Sequence, residues 1–206
     1  VDERVLIPRS PIFELIEAEF MPWFRAPLDR PVRFLDLCTG SGCLGITLAL
    51  SVAESTGVLA DLEAGACEVA QENVVFHQVG DRVEVIQSDG FDELVDESFD
   101  LIICNPPYVG AEEMAELPPE YQKEPTVALA SGEDGLDLVR RLLGQAADWL
   151  SDEGIMILEV GYTWGLLDRE LIARTGEPVQ WCQFEFGGHG VCVLSKRELN
   201  ALYSAF

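Results

Sequence analysis

The apolar run Phe99-Asp100-Leu101-Ile102-Ile103-Cys104 passes directly into Asn105-Pro106-Pro107-Tyr108. A short Ile- and Leu-rich run of this kind reads as a buried strand. Two successive prolines then remove two backbone donors and fix two φ angles, so the strand must end in a stiff turn. Carbonyls in that turn are not consumed by a helix or a sheet ladder, and the Asn side chain adds a further acceptor. Such a set suits a planar –NH2 group, whose two hydrogens need two acceptors. The turn therefore points to chemistry on an amide or amino nitrogen.

The rest of the chain alternates strand and helix signals. Strands are expected at 33–38, 57–61, 82–87, 99–104 and 154–159, and helices at 43–54, 65–76, 135–150 and 166–174. A closing pair of strands is expected at 179–185 and 190–194, joined through Phe186-Gly187-Gly188-His189, with a last helix from Lys196. Alternation of this kind implies an α/β fold, a mostly parallel sheet with helices on both faces. The last two strands have no helix between them, so an antiparallel final strand is expected, seven strands in all. Residues 1–31 read as a connecting segment with a short helix at 11–20, Ser10 as its N-cap and Pro11 at its first position. Residues 32–206 read as the catalytic unit. Residues 106–132 form a Pro-rich, acidic connection longer than an ordinary loop, and long ordered loops usually carry function.

Charge is the compositional outlier. Thirty-seven acidic residues against 13 basic give −24, and Lys123 and Lys196 are the only lysines. So negative a field repels phosphate backbones, which argues against direct nucleic-acid binding and favours a basic protein partner. Solubility or adaptation to high salt explains the charge as well. No apolar run approaches the ~18 residues of a membrane span, and no signal-peptide pattern opens the chain, which begins at Val1. The six cysteines form no C-x-x-C pair and read as buried free thiols in a reducing cytoplasm, not a zinc site. His77 and His189 have no clustered partners, so no metal ligand set is expected.

Gly40-Ser41-Gly42-Cys43-Leu44-Gly45 matches G-x-G-x-x-G at the end of the first strand. Its glycines let backbone approach a ligand, and free N–H groups follow at the helix start. Asp61 ends the second strand about nineteen residues on, where a ribose-binding carboxylate belongs. The pattern fits NAD, S-adenosylmethionine or a tight turn with no ligand. Asp36, two residues before Cys38-Thr39-Gly40, favours a cationic amino-acid end over a pyrophosphate. Asp89, in Ser88-Asp89-Gly90 after the third strand, is placed to accept from an adenine amino group, or serves as a turn former. Together these carboxylates mark the ligand edge of an open α/β sheet.

Read together, Leu35-Asp36-Leu37-Cys38-Thr39-Gly40-Ser41-Gly42 and Asn105-Pro106-Pro107-Tyr108 resemble the HemK-type protein glutamine methyltransferases. Val5-Leu6-Ile7-Pro8-Arg9-Ser10-Pro11 resembles the branch that methylates a ribosomal protein, as do stretches of the loop from Tyr108 to Asp137. The resemblance covers nearly the whole chain. It implies the class I methyltransferase fold, which is Rossmann-like, and S-adenosylmethionine as cofactor. It also implies transfer to the side-chain amide of a Gly-Gly-Gln-type glutamine in a basic large-subunit ribosomal protein. The family's N-terminal helical domain is absent from this chain. Glu63 and Tyr162 stand where the family often has Ser and Gln.

On this reading Asp36, Cys38, Thr39, Gly40, Ser41, Gly42, Asp61, Asp89, Gly90 and Asn105 hold the cofactor. The Asn105 side-chain oxygen and the Pro106 carbonyl each accept one amide hydrogen, which fixes the nitrogen and stabilises charge as the methyl arrives. Pro107 and Tyr108 form an apolar wall, although simple packing also accounts for Tyr108. Arg9 stands near the substrate entrance or simply on the surface. The alternatives are a release-factor glutamine methyltransferase, an adenine-N6 nucleic-acid methyltransferase, a non-catalytic cofactor-binding module and an NAD-dependent oxidoreductase.

Overall fold

The computed structural model describes residues 1–206 apart from 28, 96–97, 112–113, 115–124, 126–127 and 204–206. Its strands are β1 (Val32–Leu37), β2 (Ser55–Asp61), β3 (Val83–Gln87), β4 (Phe99–Cys104), β5 (Leu150–Glu159) and β6 (Val191–Ser195). They form one sheet in the order β3-β2-β1-β4-β5-β6. All neighbours are parallel except β5 and β6, which are antiparallel with Ile157 opposite Val193. The order reverses between β1 and β4, where an open α/β sheet leaves a crevice at its C-terminal edge.

Side-chain alternation assigns the helices to faces. Leu35, Leu37, Ile102, Cys104, Met156 and Leu158 point to one face, which α4 (Asp137–Trp149), α5 (Trp164–Thr175) and α6 (Lys196–Tyr203) cover. Phe34, Leu101, Ile103, Ile155 and Ile157 point to the other. There α1 (Ile12–Glu17), α2 (Cys43–Ser51) and α3 (Ala64–Phe76) pack. The clearest amphipathic case is α4, whose Val139, Leu142, Leu143 and Ala146 are all buried at helical spacing.

Asp100 is a charged residue inside β4, only 4% exposed. Arg30 holds it through two bonds of 2.6 and 2.7 Å, and the Arg33 N–H and the Ser151 hydroxyl also donate to it. These bonds tie residues preceding β1 to the N-terminal edge of the sheet.

Several expected boundaries shift. The seven-strand expectation is corrected to six strands among the described residues. Residues 179–185 form no ladder, only an isolated bridge between Trp181 and Cys192. The Cys182 N–H donates to the Val191 carbonyl at 2.8 Å, but the Trp181 indole turns to Asp168 of α5 at 2.9 Å. The helix expected at 11–20 stops at Glu17, because Glu19 and Phe20 adopt positive φ. Helix α2 ends at Ser51, not 54, and α4 spans Asp137–Trp149, not 135–150. β5 begins at Leu150, earlier than 154, with an irregularity opposite Phe99 and Leu101. The loop stretches singled out at 112–113 and 117–124 lie outside the described residues.

Candidate active site

Asp36 lies on the α2 side of β1, directly beneath the Gly-rich loop. It is 1% exposed, and its Oδ2 accepts from the Thr39 hydroxyl at 2.6 Å and the Gly45 N–H at 2.9 Å. Gly45 permits this approach, because a Cβ there would meet Leu59 at 2.2 Å and Asp36 at 3.0 Å. Burial pushes the Asp36 carboxyl up to about 6 against those two bonds, which pull it down.

The chain leaves β1 through Cys38 and Gly40, both with positive φ. A Cβ at Gly40 would meet nothing within 4 Å, so the loop backbone fronts open space. The Gly40 N–H donates to Asp61 Oδ2 at 2.8 Å, and Asp61 Oδ1 accepts from the Glu63 N–H at 3.0 Å. Burial raises the Asp61 carboxyl above its ordinary range. Asn73 of α3 donates to the Ser41 carbonyl at 2.8 Å, which ties the loop to the neighbouring helix. The loop is thus braced by two strand-end carboxylates and one amide.

Two cavities open along this edge. The larger, about 730 Å³, is lined by Asp36, Thr39, Ser41, Ser10, Pro11 and the loop 186–188, among others. The smaller, about 250 Å³, is lined by Asp61, Ser88, Asp89, Gly90, Pro107 and Arg141, among others. Leu6, Cys38, Gly40 and Asn105 line both. Asn105 therefore stands where the two spaces meet, immediately after β4 and one position beyond the pairing of Leu37 with Cys104.

The predicted residues fall into distinct positions. Asp36, Cys38, Thr39, Gly40, Ser41 and Asn105 come together on the larger cavity. Asp61, Asp89, Gly90 and Pro107 come together on the smaller. Gly42 lines neither; it is the left-handed residue before α2, and a Cβ there would press on Ile46 and Leu59 at 3.1 Å. Pro106 is buried. The Tyr108 ring packs on Gly161, where a Cβ would lie 2.6 Å from the ring. Packing thus accounts for at least one face of Tyr108.

Three features escape sequence reasoning. Arg141 of α4 donates to Asp89, and this bond holds the carboxyl below its usual range. Ser10 donates to Glu159 Oε2 at 2.5 Å. Glu14 of α1 accepts from the N–H groups of Glu185 and Phe186 at 2.9 and 3.2 Å. Glu159 had one available signal, a carboxylate at the end of a strand like Asp61. The other partners are far apart in sequence. Among the described residues, no group of three or more His, Cys, Asp or Glu is arranged to hold a metal ion.

A family model described as a methyltransferase small domain matches residues 22–117. Two relatives carry the name ribosomal protein uL3 glutamine methyltransferase. One, from Francisella tularensis, is 43% identical over all of this chain and 64% of its own length. The other, from Bordetella pertussis, is 46% identical over 97% of this chain and 66% of its own length. The chain is similar to both relatives along nearly its whole length, and to the methyltransferase domain over residues 22–117. It spans about two thirds of their length.

Solved structures agree on the methyltransferase fold. The human Mettl16 catalytic domain, solved with a MAT2A 3′UTR hairpin, has a TM-score of 0.70 at 18% identity, covering 95% of this chain and 74% of that one. The ribosomal protein L11 methylase of Lactobacillus delbrueckii has a TM-score of 0.60 at 16% identity, covering 93% and 81%. At such identities they establish the fold alone. The matched methyltransferase segment holds β1 to β4, the Gly-rich loop and Asn105. Ser10, Glu159 and the loop 186–188 lie outside it.

Proposed function

We propose that the chain transfers a methyl group from S-adenosylmethionine to the side-chain amide nitrogen of a protein glutamine, in a large-subunit ribosomal protein of the uL3 kind. The observation that carries this reading is the place of Asn105, on the wall common to both cavities. The name of the two relatives supports the choice of acceptor. Residues 32–206 are the proposed catalytic unit and 1–31 the connecting segment. A reducing cytoplasm is the proposed setting; of the thiols expected to be buried, Cys104, Cys182 and Cys192 are, Cys38 and Cys67 are half-buried, and Cys43 is exposed.

The residues present fit the cofactor. The larger cavity sets Asp36 and Glu14 beside Arg9, and the smaller sets Asp61, Glu63 and Asp89 beside Arg4 and Arg141; Asp36 suits a cationic ammonium and Asp61 ribose hydroxyls, while Asp89 is already bonded to Arg141. The open side of Gly40 gives a ligand access to loop backbone. When bound, S-adenosylmethionine supplies a methyl group on a sulfonium, a strong leaving group.

An amide nitrogen is a weak nucleophile, because its lone pair is delocalised into the carbonyl. The protein's part is to hold that nitrogen in line and keep water away. Asn105 supplies one acceptor for the amide hydrogens on the wall common to both cavities, and the carbonyl of Pro106, a buried residue that lines neither cavity, is proposed as the second, with the prolines keeping the turn rigid. Rigid acceptors stabilise positive charge growing on the nitrogen with little reorganisation. The net charge of −24 would draw a basic acceptor toward the site.

The test is methyl transfer from labelled S-adenosylmethionine to purified uL3, with ribosomal RNA as a competing acceptor. Label on a single glutamine, located by fragmentation mass spectrometry, is the expected result. Label on RNA adenine, or on neither acceptor, overturns the reading.

A further inference from the structure

We infer that Glu159 is a positioning residue for the acceptor: through Ser10 it holds the wall of the larger cavity that carries Ser10 and Pro11 beside Asn105. This rests on the glutamine-methylation reading.

Glu159 ends β5. Pairing of Leu158 with Cys104 sets it beside the residue that opens the Asn-Pro-Pro turn. Alternation along Ile155, Ile157 and Glu159 turns its side chain to the α1–α3 face, where the first two are core. At 5% exposure it is a charged group among apolar ones, and burial pushes it up to about 7 despite the Ser10 bond and nearby Arg9. An apolar side chain would serve packing better at this position, so stability does not account for a carboxylate here.

Its contact explains it. The Ser10 hydroxyl donates to Glu159 and accepts from the N–H of Ile12, the first residue of α1. One hydroxyl thus couples the end of β5 to the start of α1, and Ser10 itself stands on the cavity wall with Pro8 and Pro11. Glu159 does not line the cavity, so its effect on a substrate passes through Ser10. Glu14 makes the matching tie, holding the Phe186 loop that lines the same cavity. Both segments at this cavity are thereby referenced to α1.

The experiment compares Ser10→Ala, Glu159→Ala and Glu159→Gln in the full chain. Acceptor KM and kcat are read by methyl transfer to a glutamine peptide, and S-adenosylmethionine affinity by calorimetry. Hydrogen exchange across residues 9–12 is read without cofactor. Loss of the tie raises acceptor KM by about tenfold in both Ala variants, with kcat and cofactor affinity within about threefold. Exchange at 9–12 rises in parallel. Glu159→Gln, which still accepts from Ser10, restores both. Unchanged KM and exchange in the Ala variants overturn the inference, as does an equal fall in kcat, cofactor affinity and acceptor binding. Failure of the unmodified chain to methylate glutamine overturns the functional reading first, and this one with it.

Discussion

Gly45 stands directly over Asp36. Its N–H donates to Asp36 Oδ2 at 2.9 Å, and a Cβ there would lie 3.0 Å from the aspartate and 2.2 Å from Leu59. Leu59 is fully buried and cannot swing into solvent. Gly45→Ala is therefore overpacked, and about 1–3 kcal/mol of stability is lost. A denaturant midpoint equal to that of the unmodified chain would contradict this packing. Because Asp36 must shift, S-adenosylmethionine affinity falls as well.

Asp36 itself sets a pH dependence. Burial raises its carboxyl to about 6, so it takes up a proton as pH falls through that value. The ionised form is the one that attracts a cationic ammonium. Cofactor affinity should hold above pH 7 and weaken below pH 6, by at most roughly tenfold per unit. Calorimetry from pH 5 to 8 reads the effect. In Asp36→Asn the affinity is low and its profile flat across that range.

Asn105→Ala removes one of the two acceptors from the turn. If it holds the reacting nitrogen, the loss is about 2–4 kcal/mol of transition-state stabilisation. That is a fall of roughly 30- to 1,000-fold in kcat/KM. Most of the loss should appear in kcat, measured at saturating acceptor. Near-normal turnover would remove Asn105 from the mechanism.

Glu159 bears on stability as well as on the cavity. Its folded-state carboxyl is raised from 4.5 to about 7, chiefly by desolvation. Between those values the folded protein binds more protons than the unfolded chain, so stability from this group falls as pH rises, and the full penalty is reached above pH 7. The size is roughly 3 kcal/mol. Glu159→Gln should therefore be more stable than the unmodified chain at pH 8 and nearly equal to it at pH 4. Thermal melts of the pair at both values isolate this group from the general repulsion of a −24 protein.

Much of this site is legible in sequence because its parts are local. Gly40 to Gly45 and Asn105 to Tyr108 each carry a backbone requirement within a few residues, and Asp61 follows at a spacing set by one helix and one strand. The closing strand expected at 179–185 does not form: its composition permits a strand, whereas a ladder needs a partner along its length, and here a single bridge, Trp181 to Cys192, joins the segment to β6. Arg141 meeting Asp89, and Ser10 meeting Glu159, leave no trace in spacing. They join residues 52 and 149 positions apart.

By itself the sequence determined the alternating strands and helices, the Gly-rich loop and the stiff acceptor turn, since periodicity and the φ restrictions of Gly and Pro act over a few residues. Only the tertiary structure decided that Asn105 stands where two cavities meet, and that a buried carboxylate at the end of β5 holds the segment before α1. Those arrangements follow from the order β3-β2-β1-β4-β5-β6, which lays β4 between β1 and β5. Such an order depends on which apolar faces bury together, and that is a property of the whole chain.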